Sequence, residues 1–381
     1  MIKKIKAVHI SANTFDPLPT KTHTNLIWQE LSKCVDQYIV IGRSKENSFS
    51  FSNDCAVYLR LLPLIGGAQF YSLLLAPLQL YYLIKEKPDY IVCQCPVLGG
   101  IPASIYKVFN KNVVLTVEIH GEHILKPRAN KVKSLFEFHF FKFFSKLSFS
   151  ICDNIRSLSP SMSERIIDVY GIEIKDKIKF IPNRVDINNF KNIKDYSCFN
   201  PVPIRIITVG AFSPIKNHIK LIKDLHNTGL DYHLTIVGKG PLKDSYEKVI
   251  HLLGLRAKVS ILESLSHDEL AYEYSRNDVY VHYSLTEGVP RVILEAQACG
   301  LPVITTNVGY IKGILTDEEN ALILGKDEPS LLKAALIKLM LPSNYVRLAN
   351  AGYENITKNF NSTSVFEKYR NVIQGKCSEN T

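Results

Sequence analysis

Residues 279–309, VYVHYSLTEGVPRVILEAQACGLPVITTNVG, spell out a strand, a loop, a helix and a second strand. Val279–His282 and Val303–Thr306 are short β-branched runs, and the apolar positions between them recur at helical spacing. Pro290 stands where that helix starts, because a fixed φ and a missing N–H suit a first turn. Strand, covering helix and strand make a parallel pair with a helix on its face. The loop Glu287-Gly288-Val289 therefore lies at a helix N-terminus, where unpaired N–H groups and a positive partial charge favour a diphosphate.

Outward from this stretch the same alternation runs through the whole chain. Ahead of it in the second half come Arg205–Val209, Leu234–Val237 and Val259–Leu262. The first half carries Ile5–Ile10, Tyr38–Ile41, Val57–Leu61, Tyr90–Cys95, Val113–Val117, Ile155–Leu158 and Ile178–Ile181. The reading is α/β, with two Rossmann-like sheets in series. The Asn-rich stretch PNRVDINNFKNIKDYSCFNPVP (182–203) between them has the composition of a linker. It places a first domain at 1–190, the linker at 191–203 and a second domain at 204–360. Ligands of such sheets bind beyond the carboxyl ends of the strands, so the site is expected in a cleft between the domains.

Composition narrows the classes. A chain of 381 residues with 46% apolar content suits two cores. The net charge of +10 is uneven: residues 1–190 hold 24 Lys and Arg against 16 Asp and Glu, and the remainder 22 against 20. The first half is thus expected to face something acidic. No zinc-finger, helix-turn-helix or RNA-binding signature accompanies the charge, so nucleic acid is not expected as a partner. The eight cysteines are scattered, Cys93-x-Cys95 lacks a second ligand pair at zinc spacing, and a reducing cytoplasm is the expected location. MIKKIKAVHISAN reads as a lysine-flanked strand and not as a secretory signal. The apolar run Phe70–Ile84, interrupted by Pro77, is too short to span a bilayer and reads as a buried helix.

The chemistry is sought in residues that suit a phosphorylated, hydroxyl-rich ligand. The dinucleotide pattern G-x-G-x-x-G is missing, since Lys243 occupies the third glycine's place after Gly238-Lys-Gly240. A Walker-type loop and a D-x-D pair are missing as well, so a diphosphate must be neutralised without a D-x-D-bound metal. Glu295 sits among Ile293, Leu294, Ala296 and Ala298, where a lone charge is costly unless it has work to do. Glu295 is placed to accept hydrogen bonds from ribose hydroxyls and Glu287 from sugar hydroxyls.

EGVPRVILEAQACGLPVITTNVG (287–309) resembles the Glu-x7-Glu region of the retaining glycosyltransferases of family 4. VGAFSPIKNHIKLI (209–222) is similar to that family's first phosphate loop, VGKGP (237–241) to its glycine turn, and SHDELAYEYSRNDVYVHYSLTEG (266–288) to the approach to its donor site. SLSPSMSERIIDVYGI (157–172) and IKFIPNRVDINNF (178–190) are similar to the helix and strand before its domain linker. The resemblance is good from about residue 150 to 325. Before that it rests on pattern and on His120.

The resemblance implies a GT-B fold with an acceptor-side first domain, a nucleotide-sugar-binding second domain, and residues 361–381 forming a helix that returns to the first, then a tail. It implies a retaining hexosyltransferase using a nucleotide-diphosphate sugar, with no cofactor and no metal. Lys216 corresponds to the family's phosphate-binding lysine, Glu287 to its sugar-contacting glutamate and Glu295 to its ribose-binding one. Gly210, Gly288, Val289 and Arg291 line the phosphate region, and Leu262 and Ser264 mark the base. His120, followed by Gly121, matches the family histidine near the reacting sugar, with His123 as the fallback. Thr20, Lys21, Thr22 and His23 stand in the first loop, which lacks the family's Gly-Gly. Ala211 replaces an arginine that many members pair with the lysine; Arg291 or Arg184 are the candidates to compensate. The expected acceptor is a glycan or lipid-linked sugar of cell-envelope polysaccharide synthesis.

Residues 131–150, KVKSLFEFHFFKFFSKLSFS, add Phe136, Phe140, Phe143, Phe144 and Leu147 at helical spacing, ringed by lysines. These five are expected to pack on the first sheet. Phe138, Phe141 and Phe149 exceed that face, which with the basic charge suggests peripheral contact with an anionic membrane surface. The alternatives left open are a nucleotide-sugar epimerase or a phosphorylase on the same scaffold, and a non-catalytic membrane-surface relative.

Overall fold

The computed structural model describes residues 5–14, 23–44, 57–63, 71–120, 124–125, 132–191, 202–263, 265–325 and 328–373. The first strands are β1 (Lys6–Thr14), β2 (Gln37–Ser44), β3 (Val57–Pro63), β4 (Tyr90–Cys93), β5 (Val114–Glu118), β6 (Asn154–Ser157) and β7 (Ile178–Phe180). Their helices are α1 (His23–Ser32), α2 (Tyr71–Glu86), α3 (Gly100–Phe109), α4 (Val132–Ile151) and α5 (Pro160–Tyr170). The second series has β8 (Ile204–Val209), β9 (Tyr232–Val237), β10 (Val259–Leu262), β11 (Val279–His282), β12 (Val303–Thr306) and β13 (Leu322–Leu324). Around it lie α6 (His218–Thr228), α7 (Lys243–Leu252), α8 (His267–Arg276), α9 (Arg291–Ala298), α10 (Pro329–Leu339) and α11 (Pro342–Asn359), with α12 (Ser362–Ile373) last.

The strands form a seven-stranded sheet, ordered β3-β2-β1-β4-β5-β6-β7, and a six-stranded sheet, ordered β10-β9-β8-β11-β12-β13. Neighbours pair in parallel throughout, for example Val8 with Ile39 and Ile91, and Ile206 with Leu234 and Val279. Both orders run 3-2-1-4-5-6 from their own first strand, which places a switch point between β1 and β4 and another between β8 and β11. The central strands are apolar on both faces because helices cover both. Ile39, Ile41, Ile91, Leu115, Ile206, Ile236, Val281 and Ile304 have essentially no exposed surface.

Two compact units result, Met1–Ile181 with Phe366–Thr381, and Pro182–Val365. Residues 182–190, expected in the first domain, pack in the second unit. Val185 bridges Asn361, and Phe190 lies edge-on to Tyr274. Their apolar side chains need partners, which overrides the linker-like composition around them.

Among the described side chains of α4, which leave out Phe136, the buried ones are Phe141, Ser145, Ser148 and Phe149, while Phe143 and Leu147 point outward. This corrects the expected face. The small serines let α3 approach: Ser148 Oγ donates to Pro96 O at 2.6 Å, and a Cβ on Gly100 would come within 3.0 Å of that hydroxyl. Close helix contact decides the orientation here: Phe141 and Phe149, expected beyond the packed face, are buried, and Phe143 and Leu147 are left outside. Likewise α2 is not wholly buried, since Tyr81 and Ile84 are exposed. Cys93 and Cys95 are packed as buried thiols.

Candidate functional site

In the second unit the switch point carries a loop from each of β8 and β11. After β8, Gly210 N donates to Val237 O at 2.9 Å and Phe212 N to Lys239 O at 2.9 Å, so the loop lies backbone-on-backbone against the turn Gly238-Lys239-Gly240. A Cβ at Gly238 would fall 2.0 Å from Gly210 O, at a φ of +150°, so only glycine fits. Gly210 itself makes room for the Lys216 stem, which a Cβ would approach to 3.1 Å. Lys216 closes the short 3₁₀ turn Pro214–Lys216.

After β11 the chain runs through Glu287 into α9. Leu285 N donates to Ile215 O at 2.8 Å, Tyr310 N to Gly288 O at 3.0 Å, and Asn183 Nδ2 to Val289 O at 3.0 Å. Gly309, with φ +67°, lets its own segment press on the carbonyl of Glu287. Pro290 is the N-cap of α9, one position before the first helical residue where it was expected, and no side chain caps that end. Ile293 N donates to Pro290 O at 3.3 Å, and ahead of it the N–H groups of Arg291 and Val292 stand at the helix start, where an anion is favoured.

Lys216 Nζ and His282 Nε2 both meet Glu287 Oε1, the histidine at 3.1 Å. Among the described residues no donor contacts Oε2. His282 is buried at the end of β11, and its Nδ1 lies 3.1 Å from the Tyr280 hydroxyl. Burial lowers the His282 pKa against the pull of Glu287, so the ring is neutral. A neutral ring with Nε2–H on the carboxylate leaves Nδ1 to accept from Tyr280. For Glu287, burial alone would raise the pKa; the His282 hydrogen bond and the Lys216 charge overcome it and bring it to about 2. The group is a fixed acceptor, not a proton donor.

Glu295 is half-buried on α9 with the Tyr274 hydroxyl against it. Burial raises its pKa, and the Arg291 charge offsets part of that rise. Burial raises the pKa of Tyr280, and both Glu287 and Glu295 push it further up, so each carboxylate lies within electrostatic reach of that hydroxyl. Arg291 and Ala211 are exposed, and Arg184 is buried. Leu262 ends β10 with its carbonyl taken by Gly238 N at 2.9 Å. Ser264 lies outside the described residues.

In the first unit His120 follows β5 by two residues. Its Nε2 lies 2.6 Å from Oε2 of Glu118, while Oε1 of that buried carboxylate meets Arg156 Nη1 at 3.3 Å. Arg156 also donates to Ile181 O at 2.9 Å and to the Tyr369 hydroxyl at 3.3 Å, and its guanidinium lies over the Tyr369 ring. Burial would raise the Glu118 pKa; Arg156 and the His120 hydrogen bond bring it to about 2. Thr20, Lys21, Thr22, Gly121 and His123 lie outside the described residues, and His23 opens α1.

Sequence reasoning missed Glu118, Arg156 and His282. A signal existed for two of them. Residues 118 and 120 share a face by strand alternation, and His282 ends the strand that leads to Glu287.

Residues 189–355 match the family model described as glycosyl transferases group 1. An O-antigen chain mannosyltransferase of Salmonella typhimurium is 26% identical over 257 residues, 65% of this chain and 70% of that protein. An N-acetylgalactosaminyltransferase of Campylobacter jejuni acting on a diphospho-undecaprenol-linked sugar is 28% identical over 281 residues, 73% and 70% of the two chains. Among solved structures, sucrose-phosphate synthase from Thermosynechococcus elongatus superposes with a TM-score of 0.80 at 18% identity, covering 98% of this chain and 99% of that one. HepE of Anabaena, in complex with UDP, gives 0.75 at 17% identity, covering 98% and 100%. The matched segment, residues 189–355, is thus similar to the group 1 glycosyltransferases, and with its two parallel sheets the chain has the GT-B fold.

Proposed function

We propose that the chain transfers a hexose from a nucleoside-diphosphate sugar, with retention, to a glycan or lipid-linked acceptor in cell-envelope polysaccharide synthesis. It would work in the cytoplasm, at the inner face of the plasma membrane. The observation that carries the reading is the convergence of Lys216 and His282 on one oxygen of Glu287, beside the uncapped start of α9. One side of such a site holds hydroxyls on the other carboxylate oxygen. The other offers a cation and helix N–H groups to a diphosphate, whose charge grows as the sugar leaves.

In this reading Glu295 takes the ribose, Gly210, Gly288 and Val289 border the phosphates, and Leu262 and Ser264 the base. His120, held by Glu118, serves the reacting sugar, with His123 and the Thr20, Lys21 and His23 loop on the acceptor side. Arg291, exposed on the first turn of α9, stands nearest the role that Ala211 vacates. HepE is also solved in complex with UDP-glucose, which makes uridine donors the first to try. The envelope setting is supported by the two curated relatives named above.

A thermal-shift series with UDP, GDP and ADP sugars tests the donor, since a ligand of the native state alone raises its melting temperature. One nucleotide class should stabilise the protein, and Glu295→Ala should abolish that shift. No shift with any of them would overturn the reading. Nucleotide release that proceeds equally without an acceptor would point to the wrong reaction.

A further inference from the structure

The first unit presents a surface that its fold does not use. Helices α2, α3 and α4 pack side by side, and each turns large apolar side chains outward. Tyr81 and Ile84 on α2, Val108 and Phe109 on α3, and Phe143 and Leu147 on α4 are exposed, Phe109 to 82% and Phe143 to 68%. Isolated exposed apolar residues are ordinary, but a run across three adjacent helices marks a contact site.

Lysines stand beside this run. Lys85, Lys111 and Lys146 are exposed and Lys142 is half-buried. The described carboxylates on these helices and their adjoining turns are already engaged. Glu86 meets Lys6, Asp89 accepts from Lys6 N, and Asp153 takes Lys107 at 2.8 Å. A second copy of the chain would set these lysines against one another. Protein interfaces in general exclude lysine from their centres. An anionic bilayer answers both features, with headgroups for the lysines and the acyl boundary for the aromatic rings. None of the described helices is long and apolar enough to cross a membrane.

We infer that the outer faces of α2, α3 and α4 form a docking surface for an anionic lipid bilayer. The inference deepens the reading of the chain as acting at a membrane face and names the surface that makes the contact.

The test is co-sedimentation of the full chain with vesicles of phosphatidylglycerol and phosphatidylcholine, or of phosphatidylcholine alone. Binding is expected to the anionic vesicles and to weaken with salt. The double variants Phe109→Ser/Phe143→Ser and Lys142→Glu/Lys146→Glu should each lower vesicle affinity about tenfold or more. Their melting temperature, and its shift by nucleotide sugar, should match the parent chain. Absence of binding to anionic vesicles would overturn the inference, as would variants that bind like the parent. A dimer in solution that Phe109→Ser dissociates would assign the face to a second copy instead. The nucleotide-sugar shift, read on the same samples, keeps failure here apart from failure of the transferase reading.

Discussion

Each unit holds a carboxylate near the carboxyl end of a strand, met by one histidine and one cation, and the two arrangements are inversions of each other. At Glu118 the partners divide the oxygens, His120 on Oε2 and Arg156 on Oε1. The carboxylate is sealed while the histidine side chain is 39% exposed. At Glu287 both partners share Oε1, the histidine is sealed, and the carboxylate keeps an open oxygen. A carboxylate, an imidazole and a cation thus present the imidazole in one unit and the carboxylate in the other. Which oxygen each donor takes decides what the ligand meets.

If Glu287 is the presented group, Glu287→Ala should cut transfer by about 100- to 1000-fold in kcat, as for loss of one preorganised electrostatic contact. Steady-state kinetics with an unchanged melting temperature would check this. If Glu118 is the supporting group, Glu118→Ala should show the reverse weighting. Arg156 is left as an unpaired buried charge, and about 3–5 kcal/mol of stability should go. Equilibrium unfolding in urea measures it; a variant that is fully stable yet inactive would break the contrast.

Acid sharpens the comparison. Both carboxylates have pKa values lowered to about 2, below their unfolded values, so ionisation of each adds stability above the ordinary glutamate range. That stability is lost as pH falls from about 4.5 toward 2. Glu118→Gln should flatten the stability profile in that window, read by thermal melts at stepped pH.

A smaller effect is expected at His282. His282→Leu leaves Lys216 alone on Oε1 and should raise the donor KM several-fold with less change in kcat, about 1 kcal/mol for one hydrogen bond. His282→Gln, which restores a donor, should recover part of it. The smallest expected effect is none: chelation with EDTA should leave the transfer rate unchanged, and recovery on added Mg²⁺ or Mn²⁺ would contradict a diphosphate gripped by Lys216 and α9.

How much of this was legible in the sequence depends on how far each contact reaches. The central strands could be read because helices on both faces force long β-branched runs such as Tyr38–Ile41. The edge strand β13 could not, since Leu322–Leu324 is three residues with no pattern of its own. The carboxylate Glu287 was legible from its place before Pro290. Its partner His282 looked like any residue inside an apolar strand, and only the pairing of β11 beside β8 brings it to Lys216. Arg156 was hidden for the same reason: its partner Glu118 is 38 residues away and its cover, Tyr369, 213. The orientation of α4 failed on physical grounds, because small serines seat a helix more closely than large rings do.

The last helix carries a practical consequence. α12 begins at Ser362 in the second unit, and the chain passes into the first at Phe366. Its Tyr369 then covers Arg156. The first unit is therefore not a contiguous stretch of the gene. A fragment ending at Ile181 would lack the ring over Arg156, and His120 would lose the rigidity of its support. Swapping the first unit for that of another chain would have to carry the C-terminal residues along with the N-terminal ones.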